Sequence, residues 1–345
     1  MGNKFRIVTW NVGGAKFLEL PEDTREEFIG KLSNGLRCLA HDYSPDVILL
    51  QEVVKFGDAH APKDLIPEGS VPGYYYDASI AISTVSQSHP QKWDKYLNND
   101  NTAANWPPGT FLAQGYGVLW RKNLKHAPLW EFEGSPGPMV AKEIVRLETG
   151  LFTGSRDTEP RLAVVVHFII DSHDKPLDIF VVNLHLTTLK GEREGSPDKD
   201  AAAARVRRQQ IDVVANGIVS RYNEWAAEKV KEEKKKDKQF KRMPAVWVIG
   251  GDFNCMPLSP EISAMGQMNF IDLSPHKGPG TKGDHVPIVD ATITLDYLFA
   301  GPAYYSLDPY LAKIATDRNP TPLEPYKVSD HFPVLADVPL PSKEV

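Results

Sequence analysis

Apolar residues along this chain gather in short bursts, and burst after burst ends on an amide, an acid or a histidine. Phe5 to Trp10 predicts a first strand that stops at Asn11 and the Gly13-Gly14 pair. After Pro21, a start signal, Phe28, Leu32, Leu36 and Leu39 recur at helical spacing. A strongly apolar strand, Val47 to Leu50, then runs into Gln51 and Glu52. Ala113–Lys122, Arg161–Ile170 and Leu177–Leu186 predict three further strands, the last carrying Asn183 and His185 near its end. Ile211, Val214, Ile218, Tyr222 and Trp225 fall on one face of a long helix. "AVWVIGGDFN" predicts another strand, ending in Asp252 and Asn254, with a short helix from the Ser259-Pro260 step. Strands at Ala291–Gly301 and Val334–Val338 close the chain.

Two stretches break this rhythm. Residues 55–111 are rich in Pro, Gly, Asn and Ser and show little periodicity, so a loop-rich insertion is expected there. Residues 226–243 are densely charged and read as a charged helical insertion. With no repeat and no interdomain linker, 1–345 is expected to form a single domain. Many strands with few helices between them predict an α/β fold of two packed sheets flanked by helices.

Composition narrows the function. At 345 residues and 41% hydrophobic, the chain can bury a large core, and its net charge of −6 excludes a protein that coats nucleic acid by bulk charge. The two cysteines, Cys38 and Cys255, are far apart and form no CxxC, so neither a disulfide scaffold nor a structural zinc site is expected. No stretch approaches the ~20 apolar residues of a membrane span and the N-terminus has no apolar signal core. A cytoplasmic location is therefore the expectation, and no protein partner is evident.

The polar strand ends then need an explanation. Asn11, Gln51-Glu52, Asn183/His185, Asp252/Asn254, Asp296 and Asp330-His331 make six such ends. Any one could cap a turn, which is the expectation for Asn183; six together have the look of an active site on a rigid sheet. Residues two apart in a strand share a face, so Asp252 and Asn254 point together while Phe253 anchors the other side. Carboxylates without cysteine suit a hard ion such as Mg²⁺ or Mn²⁺, and the histidines suit proton work or stabilisation of charge on a phosphoryl group. Gly250 and Gly251 are expected to let backbone and substrate approach closely.

In sequence order, "TWNVGG", "LLQEV", "VVNLHL", "GGDFN", "TLDYLF" and "SDHFPV" resemble the motifs of the endonuclease/exonuclease/phosphatase superfamily, from Phe5 to Val338. The resemblance implies a deoxyribonuclease I-like four-layer α/β/β/α sandwich and divalent-metal-dependent hydrolysis of a phosphate ester. By that resemblance Glu52 is the principal metal ligand, with Asn11 beside it and Asp330 completing the site. Asp252 orients or deprotonates the attacking water, Asn254 holds it and the phosphate, His331 is the essential histidine and Asp296 fixes its tautomer. His185 is a second phosphate-contacting histidine. Arg161, Lys190 and Lys282 are weaker candidates for further phosphate contacts. The other histidines match no motif, and Cys255 reads as a small buried thiol.

The ester itself is less legible. No basic residue follows the Asn254 motif as in inositol polyphosphate 5-phosphatases, and "LLQEVVKF" departs from the "LQETK" of abasic-site endonucleases. A phosphodiesterase or nuclease acting on nucleic acid or a nucleotide is the expectation. A phosphatase of a small phosphorylated molecule or phosphoinositide is the alternative, and a catalytically inactive binding member the third reading. Tyr74, Tyr75, Tyr76, Trp93, Trp106 and Phe111 could stack on bases; packing of the 55–111 segment onto the sandwich is expected for most of them.

Overall fold

Both faces of the first strand are buried, and they are buried against different things. Phe5 and Ile7 point into one apolar layer while Val8 and Trp10 point into another. The same alternation in the other central strands decides the layering. The computed structural model describes residues 4–85, 93, 96–97, 106–126, 142–147, 161–172, 175–188, 197–238, 245–274, 294–301 and 326–340.

The strands are β1 (Lys4–Asn11), β2 (Val47–Asp58), β3 (Ala61–Asp64), β4 (Tyr74–Ser83), β5 (Phe111–Arg121), β6 (Lys125–His126) and β7 (Lys142–Leu147). They continue with β8 (Arg161–Ser172), β9 (Lys175–His185), β10 (Val246–Asp252), β11 (Ile271–Asp272), β12 (Asp296–Gly301) and β13 (Val334–Pro339). The helices are α1 (Gly14–Leu18), α2 (Glu22–Cys38), α3 (Pro197–Asp212), α4 (Ser220–Lys236) and α5 (Pro260–Gln267). One sheet runs β13-β1-β2-β5-β4, with β3 paired to β2; the other runs β11-β12-β10-β9-β8-β6, with β7 paired to β8. Both are mixed, because β1/β2 and β9/β10 are parallel while the other ladders are antiparallel.

Between the sheets, Phe5, Ile7, Val47 and Leu49 share one buried layer with Ile179, Val181, Val248 and Leu298. Phe28, Leu32 and Leu36 of α2 cover Val8, Trp10, Ile48 and Leu50 on the outer face of the first sheet. Ile211, Val214, Ile218 and Tyr222 cover Phe180, Val182, Trp247 and Ile249 on the second. Helix, sheet, sheet and helix therefore stack in four layers, as expected. Each buried aliphatic or aromatic side chain contributes about 2 kcal/mol by leaving water.

Residues 55–111 hold more regular structure than their composition suggests. They complete β2 and supply β3 and β4. The edge strand β4 pairs with β5 alone and its faces alternate poorly between buried and exposed, which hides it from a periodicity reading. The aromatics there mostly pack inward. Tyr74 donates to Pro45 O, Tyr76 to Asp64, and Trp106 to Leu18 O beneath the guanidinium of Arg25, while Trp93 is buried; Tyr75 is exposed. The charged stretch from 226 is helical through Lys236, and residues 239–244 lie outside the described residues. Among the described residues no helix is long and apolar enough to cross a membrane.

The glycine pair of β10 serves packing. A side chain on Gly250 would meet Leu298 and Leu49 from the two sheets at 2.6 and 3.0 Å. One on Gly251 (φ 152) would lie 1.8 Å from Leu184 O of the neighbouring strand. At Gly250 the opposite sheet comes close through Leu49, and at Gly251 the neighbouring strand of the same sheet does.

Asp337 of β13 faces Arg6 of β1 in the ladder and accepts from Arg6 Nε (2.6 Å) and Lys4 Nζ (2.7 Å). Burial alone would raise its carboxyl, but the hydrogen bonds and charges of Arg6 and Lys4 outweigh it and hold it below the usual range. The stabilisation is complete above about pH 4 and disappears as pH falls through the depressed value. Asp337→Asn is expected to cost about 2 kcal/mol at pH 7 and almost nothing near pH 2, measured by urea unfolding. An equal cost at both pH values would assign the loss to packing instead.

Candidate active site

The layer between the sheets changes from apolar to polar at one end. Following the inward parity along each strand gives Thr9 and Asn11 on β1, Asn183 and His185 on β9, Asp252 on β10 and Asp296 at the start of the antiparallel β12. Asp252 lies directly across the ladder from Asp296 on one side and His185 on the other. On β2 the register shifts between Gln51 and Val53, and Glu52 adopts φ 59 at that bulge. Without it Glu52 would face the helix layer; the bulge turns the carboxylate toward the site. A side chain on Gly14 would lie 1.8 Å from Glu52 O, so only glycine lets the chain after β1 pass here. The Ala15 N–H then donates to Glu52 Oε2 (3.0 Å).

Asp252 is the hub. Asn11 Nδ2 donates to Asp252 Oδ2 (3.0 Å) and Glu52 Oε1 (3.1 Å), so one amide joins the two carboxylates. The Asn254 N–H donates to Asp252 Oδ1 (2.9 Å) and the Asn254 side chain to Leu186 O (3.1 Å), with Asn254 at φ 50. His185 Nε2 lies 3.5 Å and His331 Nε2 3.8 Å from Asp252 Oδ2. His331 Nδ1 sits 2.8 Å from Asp296 Oδ2, which fixes the ring with Nε2 toward Asp252, and Asp330 Oδ1 is 4.0 Å from that Nε2. Asn11, Glu52, His185, Asp252, Asn254, Asp296, Asp330 and His331 thus all meet at one end of the sandwich.

Burial first, then the negative charge of Asp296, pushes the Asp252 carboxyl up to about 6; His331, Asn11 and Asn254 oppose the shift. Burial likewise raises the Cys255 thiol, in keeping with a packing role. The local donors are carboxylate and amide oxygens crowded with negative charge, a set that fits a hard divalent cation. Glu52, half-buried, has each oxygen engaged by one hydrogen bond and lone pairs left over. Asp252, Asp296 and His331 also bring donor atoms within 4.8 Å of one another. In that trio Asp296 Oδ2 is already engaged by His331 Nδ1.

Arg161 is buried, donates to Thr188 Oγ1 (3.0 Å), and lines a depression with Glu52, Gln114, Tyr116 and His185. Lys190 and Lys282 lie outside the described residues. Asn183 corrects an expectation: it caps no turn but lies within β9 and hydrogen-bonds across to the other sheet. Ser329 was missed: its hydroxyl donates to Asn11 O (2.8 Å) and accepts from His331 N (3.1 Å), a Ser two residues ahead of the histidine being the available signal. Trp10 was missed also, and its indole N–H donates to His331 O (2.9 Å). No local pattern announces the buried Arg207–Glu261 pair (2.9 Å), which ties α3 to α5 behind Thr188.

A four-layer sandwich with acids, amides and imidazoles gathered at its strand ends defines the phosphoesterase class of this fold. The chain belongs to the Endonuclease/Exonuclease/phosphatase family, whose family model matches residues 8–331. Members are generally hydrolytic phosphoesterases and typically use a divalent metal. Among solved structures, a family protein from Bacteroides thetaiotaomicron is similar at 13% identity and TM-score 0.52, over 98% of this chain and 96% of its own. One from Bacteroides vulgatus is 14% identical at TM-score 0.51, over 98% and 99%. A mannosyl-6-phosphatase from Bacteroides thetaiotaomicron is 15% identical at TM-score 0.50, over 99% of each chain. Likeness at these identities establishes the shared fold. No curated protein sequence matches the chain.

Proposed function

We propose that this protein is a divalent-metal-dependent phosphodiesterase or nuclease that hydrolyses nucleic acid or a nucleotide by in-line attack of water. The observation that carries the reading is Asp252, a buried carboxylate held by Asn11 and Asn254 and faced by imidazoles from both sheets. Glu52, Asn11 and Asp330 would hold a Mg²⁺ or Mn²⁺ ion, which when bound offsets charge on the phosphoryl oxygens. Asp252 accepts the proton of the attacking water or orients it. His331, its Nδ1 held by Asp296, presents Nε2 to the phosphoryl group, and His185 offers a second contact. The Asn254 backbone N–H fixes Asp252 and its side-chain amide donates to Leu186 O, and from there Asn254 holds the attacking water and the phosphate. Arg161, Lys190 and Lys282 are proposed as further phosphate contacts. Free Cys38 and Cys255 suit a cytoplasmic setting.

A second reading, a phosphatase of a small phosphorylated molecule, is favoured by one observation: Tyr74, Tyr76, Trp93 and Trp106 pack inward instead of offering faces to bases. The two part on a substrate panel. With Mg²⁺, plasmid, single-stranded DNA, RNA, nucleotides, phosphoinositides and mannose 6-phosphate are incubated separately, with and without chelator. Chelator-sensitive cleavage of a nucleic acid or nucleotide is expected. Release of phosphate from the phosphoinositides or the sugar phosphate alone would overturn the nuclease reading, and no turnover of any would point to an inactive binding member.

A further inference from the structure

The candidate active site is split between two sheets. Asn11, Glu52, Asp330 and His331 belong to β1, β2 and the approach to β13 in the first; His185, Asp252, Asn254 and Asp296 belong to β9, β10 and β12 in the second. The contacts that join them, Asn11–Asp252, His331–Asp296 and His331–Asp252, all cross the gap. Something must hold that gap to within tenths of an ångström, and apolar packing tolerates sliding that hydrogen bonds do not.

One layer below the site, Asn183 does what such a device requires. It is fully buried, and its Nδ2 donates to Leu50 O (3.0 Å) and Gly117 O (3.0 Å) across the gap. Its Oδ1 accepts from Gln51 Nε2 (2.7 Å), which also donates to Thr9 Oγ1 (3.0 Å). Leu50 and Gly117 face each other in the β2–β5 ladder just before the bulge that carries Glu52. In β10 the partner of Asn183 is Gly250, two residues before Asp252, where a Cβ would lie 3.0 Å from Leu49 of the opposite sheet. Around this cluster the layer is apolar, and a leucine in place of Asn183 would keep the volume but deprive Gln51 Nε2 and the Leu50 and Gly117 carbonyls of this partner, at a cost in stability.

We propose that Asn183 is a positioning residue: it sets the spacing of the two sheets and pins the bulge that aims Glu52, so that Glu52 and Asp252 act on one ion and one phosphate. This rests on the hydrolase reading above, and the test separates the two. Asn183→Leu is expected to lower kcat 10–100-fold with KM moved less than about threefold, and to weaken Mn²⁺ binding, followed by electron paramagnetic resonance, by a similar factor. Thr9→Val removes one link while keeping the shape, and is expected to show the same two changes severalfold; it stands in if Asn183→Leu does not fold. In the metal-free protein, Asn183→Leu combined with Asn11→Ala should shift the urea midpoint by less than the sum of the single shifts. A lower midpoint with wild-type kcat and wild-type Mn²⁺ affinity would overturn the proposal, leaving a packing role. Should the wild type hydrolyse no phosphoester, the functional reading fails and the brace is judged on the midpoint shifts alone: additive shifts overturn it.

Discussion

Asp252→Asn is expected to lower hydrolysis roughly 10²–10⁴-fold while making the metal-free protein more stable at neutral pH. The loss follows from removing the group that takes or orients the proton of water. The gain follows from burial. The Asp252 carboxyl is pushed up to about 6 by desolvation and by Asp296. Below about pH 3 it is protonated in folded and unfolded chains alike, and no penalty exists. As pH rises past that, the unfolded chain releases its proton first, so stability falls until about pH 6 and the penalty is complete above it, on the order of 2–3 kcal/mol. Asparagine carries no such penalty, though its amide would turn an N–H₂ toward Asn11 Nδ2, at about 1 kcal/mol. The net expectation is a variant more stable by about 1 kcal/mol at pH 8 and less stable at pH 4. Urea midpoints of both proteins in chelator at the two pH values decide it. A wild type at least as stable as the variant at pH 8 would mean the buried carboxylate is not a burden there.

His331→Ala carries the second large expectation, again roughly 10²–10⁴-fold in kcat. What makes it informative is its partner. Asp296 touches the imidazole at Nδ1, 2.8 Å away, on the side remote from Asp252. If Asp296 acts by holding the ring and its tautomer, Asp296→Asn should cost nearly as much as losing the ring, and the double variant should be no worse than His331→Ala alone. Single-turnover rates of the three variants measure this. Independent, multiplying losses would show that Asp296 acts directly on substrate or ion, as its place in the trio with Asp252 also permits geometrically.

Much of this was readable from the chain, for a definite reason. β1, β2, β9 and β10 are buried on both faces, so they stand out as apolar runs, and the polar residues that end or interrupt them are conspicuous, although Gln51 and Glu52, expected at the end of a strand, lie inside β2 at its bulge. Asp252 and Asp296 could be singled out because several such strands carry an acid, amide or histidine at an end, although any one of them alone could cap a turn. Asn183 could not be: an amide inside a strand and an amide capping a turn look the same until the opposite sheet is present. The bulge at Glu52 was hidden too, since "LLQEVV" carries neither glycine nor proline to mark it. Gly250 and Gly251 were noticed, yet their reason lies in Leu49, Leu184 and Leu298, three residues distant in sequence. The edge strand β4 was lost because partial exposure on both faces blurs a period of two. What escaped the sequence was information that exists only between sheets.

That division has a kinetic side. The bond from Asn11 to Asp252 spans 241 residues, that from Ser329 to Asn11 318, and that from Trp10 to His331 321. Closing loops of this length costs chain entropy before any contact returns it, so such contacts form late in folding. The first strand of the chain must also wait for the last, since β1 takes β13 as its neighbour. A chain emerging from the ribosome would therefore hold every acid of the site except Asp330 while still lacking His331, and would gain a complete reaction centre only once those two residues had followed.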